Sequence, residues 1–275
     1  MDRRTFLGTV TAATVMARHL SWAANDHKID KVGVQLYTVR DHIKDDFDGT
    51  LAKVASIGYR EVEFAGYFDR SPKDVKASLD RTGLAAPSAH FNDSYLEDKW
   101  AEVLDGANVI GHKYVVCSFI DEKNRQEPGS WHKIAENFNR AGEQAKKAGI
   151  QFAYHNHTFE FTPVKGALPY DILLKECDPQ LVKMEMDLYW ATKAGEKPLE
   201  YFKNYPGRFA LVHVKGMDKS GEMTSVAANN SIDWKAIFAQ SKEGGIQHYF
   251  VEHDNPKSSF DSIQQSFQYL QKLRF

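Results

Sequence analysis

Histidines and carboxylates follow four apolar, strand-like segments in the second half of this chain. Tyr154-His155-Asn156-His157 ends the first of these segments, and Asp187 ends the second. His213 lies near the end of the third segment, and Glu252 lies near the end of the fourth. Such side chains are costly to bury without partners, so four segments that end in this way indicate one shared site. Imidazole and carboxylate groups together are typical ligands of a divalent metal ion.

Strand-like and helix-like segments alternate from Lys31 to the end of the chain. The apolar residues at 47, 51, 54 and 57 recur at helical spacing, and Gly58 follows them as a helix stop. Hydrophobic spacing and stop residues of this kind, followed along the chain, predict eight strands and eight helices over about 245 residues. This alternation predicts an α/β fold, a single (β/α)8 TIM barrel. An open sheet would need a glycine-rich phosphate turn after its first strand, and Gly33 alone does not supply one.

The bulk composition excludes several classes of protein. The chain has 275 residues, 42% of them hydrophobic, and a formal net charge of −2, so it lacks the basic character of a nucleic-acid or anionic-lipid binder. No apolar run approaches the roughly 18 residues that a membrane span needs. Cys117 and Cys177 are predicted to be free, buried thiols. Composition does not predict the oligomeric state.

The N-terminus predicts a removable export signal. Arg3 and Arg4 form a twin-arginine start, a mildly apolar stretch follows, and Ser21-Trp22-Ala23 offers a small-residue cleavage site. An amphipathic first helix is the alternative. We therefore predict a twin-arginine signal over residues 1–23, a barrel over residues 24–275, and a periplasmic or otherwise exported protein.

The motifs at the strand ends resemble those of a known family, the xylose isomerase-like TIM barrels. This family includes sugar phosphate isomerases/epimerases, inosose dehydratases and 3-keto-glycoside lyases. The segments that carry the resemblance are Val32–Tyr37, Glu61–Phe64, Tyr154–His157, Met186–Trp190, Leu211–Lys215 and Val251-Glu252.

The resemblance implies a divalent metal ion, with Mn²⁺ expected and Mg²⁺, Co²⁺ or Zn²⁺ as alternatives. Family members hold it with residues of the fifth to eighth strands, and Asp187, His213 and Glu252 match the last three of these. His155 stands where ketose epimerases carry a glutamate, and we predict it as the fourth ligand. His157 or Glu160 in the following loop could take that place instead.

The resemblance also implies proton removal next to a carbonyl through a metal-stabilised enediolate, as in sugar isomerases and epimerases. The alternative on the same site is β-elimination, by a 3-keto-glycoside 1,2-lyase or an inosose-type dehydratase. With His155 replacing one carboxylate, proton exchange between two carboxylates is less well supported. We predict four catalytic residues: His157, Glu160, Lys215 and Glu252.

Export and the lack of a glycine-rich phosphate loop predict a neutral or keto-sugar, or a glycoside, as substrate. Residues at other strand ends are predicted to meet its hydroxyl groups and ring: Gln35, Tyr37, Glu63, His90 and Trp190. Two other functions are possible. An endonuclease IV-like barrel is disfavoured by the charge balance, and a non-catalytic exported sugar-binding protein would not need all four strand-end groups.

Overall fold

Eight parallel strands close into a barrel in the computed structural model, which describes residues 27–227 and 229–275. Each strand pairs with the next along the chain, and the eighth pairs with the first. From first to eighth, the barrel strands are Gly33–Gln35, Glu61–Ala65, Ala85–Phe91, Tyr114–Cys117, Gln151–His155, Val182–Asp187, Phe209–Val214 and His248–Val251. The predicted (β/α)8 fold is confirmed.

Helices connect the strands and cover the outside of the barrel. The α-helices are Arg40–Asp45, Phe47–Ile57, Pro72–Thr82, Trp100–Ile110, Pro128–Lys147, Pro169–Glu176, Leu188–Lys193, Pro198–Asn204, Trp234–Ala239, Ser241–Gly244 and Ser259–Lys272. Short 3₁₀ turns lie at Leu36–Val39, Asp93–Leu96, Glu122–Asn124 and Phe159–Phe161.

Local sequence signals explain where several helices begin and end. The Ser71 hydroxyl accepts a hydrogen bond from the Asp74 amide, and Pro72 occupies the first helical turn, where its missing N–H costs nothing. The same helix ends at Gly83, whose φ of 69° lies in the left-handed region that glycine adopts without strain. The helix then packs between its neighbours on the outside of the barrel, Phe47–Ile57 and Trp100–Ile110.

The lower part of the barrel is filled by apolar side chains. A compact interior cluster includes Val116, Ala153, Leu211 and Phe250. Gly33 makes room for it, because a Cβ atom at this position would lie 2.6 Å from the Phe250 ring. The imidazole and carboxylate groups predicted to form the site lie in the layers nearer the C-terminal ends of the strands, as is usual for this fold.

The structure differs from the predicted elements in four places. The first strand stops at Gln35, whose side chain accepts from the Tyr37 amide and starts a 3₁₀ turn. The apolar pattern of residues 95–110 predicts one helix, but a 3₁₀ turn occupies Asp93–Leu96 and the helix begins at Trp100. Asp187 caps an unpredicted helix, Leu188–Lys193, and a two-stranded hairpin follows the seventh strand at Gly216–Met217 and Met223–Thr224.

Cys117 and Cys177 are both buried and free, as predicted. Within the described ranges 27–227 and 229–275, no helix has the length and apolar character required to cross a membrane. The predicted export signal, residues 1–23, lies outside the described residues.

Burial of His112 gives a testable link between pH and stability. Its Nδ1–H donates to the Ala86 carbonyl at 2.6 Å, and burial lowers the pKa of the imidazole to about 4. The unfolded chain, with a histidine pKa of 6.5, binds a proton below pH 6.5 that the folded protein takes up only near pH 4. Folding stability is therefore expected to fall as the pH falls through this window, by about 3 kcal/mol in all.

The variant His112→Asn isolates this effect. Its amide can still donate to Ala86 but does not titrate. Urea unfolding at pH 7, 5.5 and 4.5 should show a smaller acid destabilisation in His112→Asn than in the wild type. Parallel pH profiles for the two proteins would contradict the assignment.

Candidate metal and active site

Asp187, His213 and Glu252 meet at the C-terminal rim of the barrel. They come from the adjacent sixth, seventh and eighth strands, and one ligand atom from each lies within 4.8 Å of the other two. His213 Nδ1 is 2.7 Å from Glu252 Oε2. All three side chains are buried. The structure thus brings together three of the predicted metal ligands.

His155 joins this group from the fifth strand. Its Nε2 lies 3.7 Å from Asp187 Oδ2, and its ring centroid lies 4.5 Å from that of His213. Burial, and then the nearby His213, hold the pKa of His155 well below its usual range. His155 is therefore a neutral imidazole whose Nε2 faces the carboxylates.

These four residues fit a divalent metal ion. Two imidazoles and two carboxylates form a mixed nitrogen and oxygen donor set. Asp187 Oδ2 is buried and accepts no hydrogen bond of good geometry, although the Lys215 ammonium lies 3.0 Å away. A buried carboxylate oxygen with an unfilled acceptor position is the kind of atom that a metal ion would satisfy.

Lys215 is a buried cation at the centre of three carboxylates. Its Nζ lies 3.0 Å from Asp187 Oδ2, 2.7 Å from Glu252 Oε2 and 2.8 Å from Asp254 Oδ1. Burial opposes its charge, but the three acids raise the pKa of Lys215 well above its usual range. Burial raises the pKa of Asp187 to about 6 despite the ammonium. Lys215 therefore balances negative charge at the rim.

A second polar layer lies deeper in the barrel. Glu63 and Glu185 are fully buried there beside His90, whose Nε2 is 3.0 Å from Glu63 Oε2 and 2.6 Å from Glu185 Oε2. Burial opposes protonation of His90, but these two acids raise its pKa to about 9. Below the rim, the layer is thus a network of alternating imidazole and carboxylate groups.

Two residues predicted to bind substrate belong to this deep layer instead. Gln35 and Glu63 are fully buried, and the Gln35 amide donates to Glu63 Oε2 at 2.8 Å. Glu63 also accepts from Ser88. Neither side chain lines the cavity above, so the structure places both below the rim, and their predicted contact with substrate stays a prediction.

We call His155, Asp187, His213 and Glu252 the rim group. A cavity of about 530 Å³ opens directly above it, with His155 and Glu252 in its lining. This volume lies in the range of small-molecule sites. Tyr37, 42% exposed, forms part of its wall, and the Arg40 guanidinium lies 4.0 Å from the centre of the Tyr37 ring. The lining also includes Asn92, Tyr95, Ser118, Phe119, His90, His155, His157, Lys215, Glu252 and Asp254.

His157 presents a neutral imidazole to the cavity. The ring stacks on Phe159 with centroids 5.5 Å apart and meets the edge of Phe119 at the same distance. Trp190, predicted to stack on a sugar, flanks it at 6.2 Å. Burial, and then the charge of Lys215, lower the pKa of His157 to about 3. Its Nδ1 is buried and has no hydrogen-bond partner.

Glu160 points away from the rim group. Its carboxylate accepts from the Tyr154 hydroxyl and, at 2.8 Å, from the His157 backbone amide. Burial raises the pKa of this acid to about 7. The structure therefore does not bring Glu160, predicted to be catalytic or a ligand, to the other metal-site residues, because the 3₁₀ turn Phe159–Phe161 directs its side chain to Tyr154 and the His157 amide.

Three residues of the site were not predicted from the sequence. Glu185 lies two positions before Asp187, so the period of a strand could have placed both on one face. Asn156 accepts a hydrogen bond from the Asp187 amide at 3.1 Å. In the motif Tyr154–His157, only the two histidines were predicted to have a role. Asp254 pairs with Lys215, and nothing in its spacing pointed to that contact.

A closed (β/α)8 barrel with imidazoles and carboxylates at the C-terminal ends of four successive strands defines an enzyme of the TIM-barrel class. The chain belongs to the xylose isomerase-like TIM barrel family, whose model matches residues 51–273. This membership confirms the resemblance. It disfavours the hypothesis of a non-catalytic sugar-binding protein.

Individual relatives of this chain carry different names. An inosose dehydratase from Lacticaseibacillus casei is 25% identical to this chain in an alignment that covers 78% of this chain and 84% of that protein. The structure of a sugar phosphate isomerase/epimerase from Parabacteroides distasonis is similar with a TM-score of 0.78 and 28% identity, covering 90% of this chain and 97% of that one. The IOLI protein, solved with a zinc atom, shares the fold at a TM-score of 0.66 and 17% identity, over 86% of this chain and 95% of that one.

Proposed function

We propose that this enzyme is a divalent-metal-dependent lyase that eliminates a β-oxygen substituent from a cyclic keto-sugar or keto-polyol. The observation that carries the proposal is the imidazole of His157, which lines the cavity between two aromatic rings and is neutral there. The rim carboxylates Asp187 and Glu252 are instead engaged by Lys215 and His213. A single free base suits elimination better than proton exchange between two faces of a sugar.

In the proposed reaction, His157 takes the proton from the carbon next to the substrate carbonyl. The electron pair of that C–H bond forms a C=C bond, and the C–O bond to the β-substituent breaks. The imidazolium of His157 then returns its proton to the departing oxygen, which leaves as water or an alcohol. Phe119 and Phe159 hold the ring during both proton transfers.

His155, Asp187, His213 and Glu252 would hold the metal ion. When bound, such an ion polarises the substrate carbonyl and stabilises negative charge on its oxygen. Mn²⁺ is the ion that we propose for this mixed donor set. Carboxylates suit Mg²⁺ and Mn²⁺, whereas imidazoles suit ions such as Zn²⁺, Fe²⁺ and Ni²⁺.

Removal of divalent ions is expected to abolish turnover. Protein treated with a chelator and then dialysed should regain activity with Mn²⁺, and less well with Mg²⁺, Co²⁺ or Zn²⁺. Activity that survives complete depletion, checked by elemental analysis, would contradict a metal-dependent reaction.

A neutral substrate is supported by the charges around the cavity. Among the lining residues of the described chain, Lys215 is the only lysine or arginine, and three carboxylates already surround it. A phosphorylated sugar would need unpaired cations at this place. The relatives named inosose dehydratase also support a neutral cyclic ketone as substrate.

The product decides between elimination and isomerisation. Metal-loaded protein would be incubated in D₂O with a 3-keto-glucoside, with an inosose and with free ketoses, and the carbon skeletons followed by NMR. We expect release of the aglycone or of water together with an unsaturated ketone. An intact sugar that carries deuterium next to its carbonyl would overturn the proposal and establish an isomerase or epimerase.

We also propose that the protein is exported by the twin-arginine route. The support is the sequence of residues 1–23, with Arg3 and Arg4 followed by a small-residue site. In a bacterial host with this pathway, the full chain is expected in the periplasmic fraction as a shortened protein. The double variant Arg3→Lys, Arg4→Lys should stay in the cytoplasm at full length, and equal export of both would contradict the proposal.

A further inference from the structure

Three imidazoles surround one oxygen atom of Glu185 in the deep layer of the barrel. Glu185 Oε2 lies 2.6 Å from His90 Nε2, 3.1 Å from His155 Nδ1 and 3.3 Å from His213 Nε2. The carboxylate is fully buried, so no solvent competes for these contacts.

Two of these imidazoles turn their other nitrogen towards the rim. His155 Nε2 faces Asp187 Oδ2 at 3.7 Å, and His213 Nδ1 faces Glu252 Oε2 at 2.7 Å. A neutral imidazole carries one N–H and one lone pair, on different nitrogens. A carboxylate beside one nitrogen holds the proton there and leaves the lone pair on the other.

We infer that Glu185 is a positioning residue that selects the metal-binding tautomers of His155 and His213 together. His155 directs its N–H to Glu185, and His213 shares its N–H between Glu185 and the nearer Glu63, so that each ring turns a lone pair to the rim. Groups that orient metal-bound histidines in this way change metal affinity by about 10–100-fold when they are mutated. This inference rests on the metal site of the proposed function and does not depend on the reaction catalysed there.

Of the two histidines, Glu63 contacts only His213. Its Oε2 lies 2.6 Å from His213 Nε2, and hydrogen bonds from Gln35 and Ser88 hold it in place. Glu185, by contrast, contacts both His155 and His213, so its loss should affect two ligands at once. Glu63→Gln is therefore expected to weaken metal binding less than Glu185→Gln.

The same side chains could alternatively form a second metal site. Ligand atoms of His90, His155, Glu185 and His213 lie within 4.8 Å of one another. The two arrangements differ in stoichiometry, because a positioning role for Glu185 requires one ion per chain and a ligand role requires two.

The test is Mn²⁺ binding by the full chain, measured by calorimetry and by elemental analysis. The variant Glu185→Gln keeps the shape of the side chain but adds an amide that donates to imidazoles, which reverses the placement of their protons. We expect one ion per wild-type chain and about 10–100-fold weaker binding by Glu185→Gln.

Glu61→Gln is the matched control. Glu61 is also a buried glutamate beside a histidine, with Oε2 2.8 Å from His248 Nδ1, but it lies at the opposite end of the barrel. Its substitution should leave Mn²⁺ affinity unchanged. Equal affinities of Glu185→Gln and the wild type, or two ions per wild-type chain, would overturn the inference.

A direct measurement of the tautomers needs no variant. Long-range ¹H–¹⁵N spectra of the Zn²⁺-loaded wild type should show the proton of His155 on Nδ1 and that of His213 on Nε2. The reverse placement would overturn the inference even if Glu185→Gln fails to fold. A protein that binds one ion with these tautomers but yields no elimination product would overturn the proposed reaction alone.

Discussion

Replacement of His157 by glutamine is expected to lower kcat by about 10²–10⁴-fold, the usual contribution of a general base. The physical reason is its neutral imidazole at the cavity wall. Glutamine can still fill the space between Phe119 and Phe159 but has no basic nitrogen. Turnover would be measured with the substrate identified by NMR, and Mn²⁺ affinity would be measured in parallel.

Metal binding should survive this substitution, because the predicted ligands do not include His157. His132→Gln is the matched control, since His132 is an exposed histidine that pairs with Glu176 on the outer helices. It should leave both kcat and Mn²⁺ affinity unchanged. A parallel loss of Mn²⁺ affinity in His157→Gln would show that His157 is a ligand, the alternative that the sequence left open.

Replacement of Lys215 by methionine is expected to destabilise the metal-free protein by about 3–5 kcal/mol. The substitution leaves the carboxylates of Asp187, Glu252 and Asp254 close together without the ammonium that lies within 3.0 Å of each. Urea unfolding in the presence of a chelator measures the loss. Mn²⁺ should restore part of this stability, because a ligand whose free concentration is 100 times its Kd stabilises a folded protein by about 2.7 kcal/mol.

Lys183→Met controls for the loss of a lysine from a neighbouring strand of the barrel, the sixth, whereas Lys215 directly follows the seventh. Lys183 donates to the Gly207 carbonyl at 3.0 Å, near the start of the sixth strand. Its loss should cost about 1 kcal/mol, the usual net value of one hydrogen bond. An equal loss of stability in the two variants, or no gain of stability from Mn²⁺ in Lys215→Met, would refute the role of Lys215 as the balancing cation.

The alternation of apolar periods determined the fold. Hydrophobic patterns typical of strands alternate with patterns typical of helices, and glycines and capping residues separate them. They predicted eight strand–helix pairs, and eight parallel strands of this kind close into a barrel. Closure also explains why Asp187, His213 and Glu252 meet, since the ends of successive parallel strands share one rim. These are local signals, and the sequence contains them completely.

Only the tertiary structure decided which strand-end residues face the cavity. Gln35 and Glu63 were predicted at the substrate because each lies near a strand end, but depth along the barrel axis depends on register, which no single strand encodes. Glu160 turned outward for a similar reason, because the direction of a loop side chain depends on its partners, here Tyr154 and the His157 amide.

Glu185 illustrates the same division between sequence and structure. Its position two residues before Asp187 determines that both side chains share one face of the sixth strand. Its three imidazole neighbours come from the third, fifth and seventh strands. A contact between distant segments depends on how the closed barrel aligns them. The sequence by itself therefore specified the predicted metal ligands at the strand ends. Only the folded chain decided which nitrogen of each histidine faces which carboxylate.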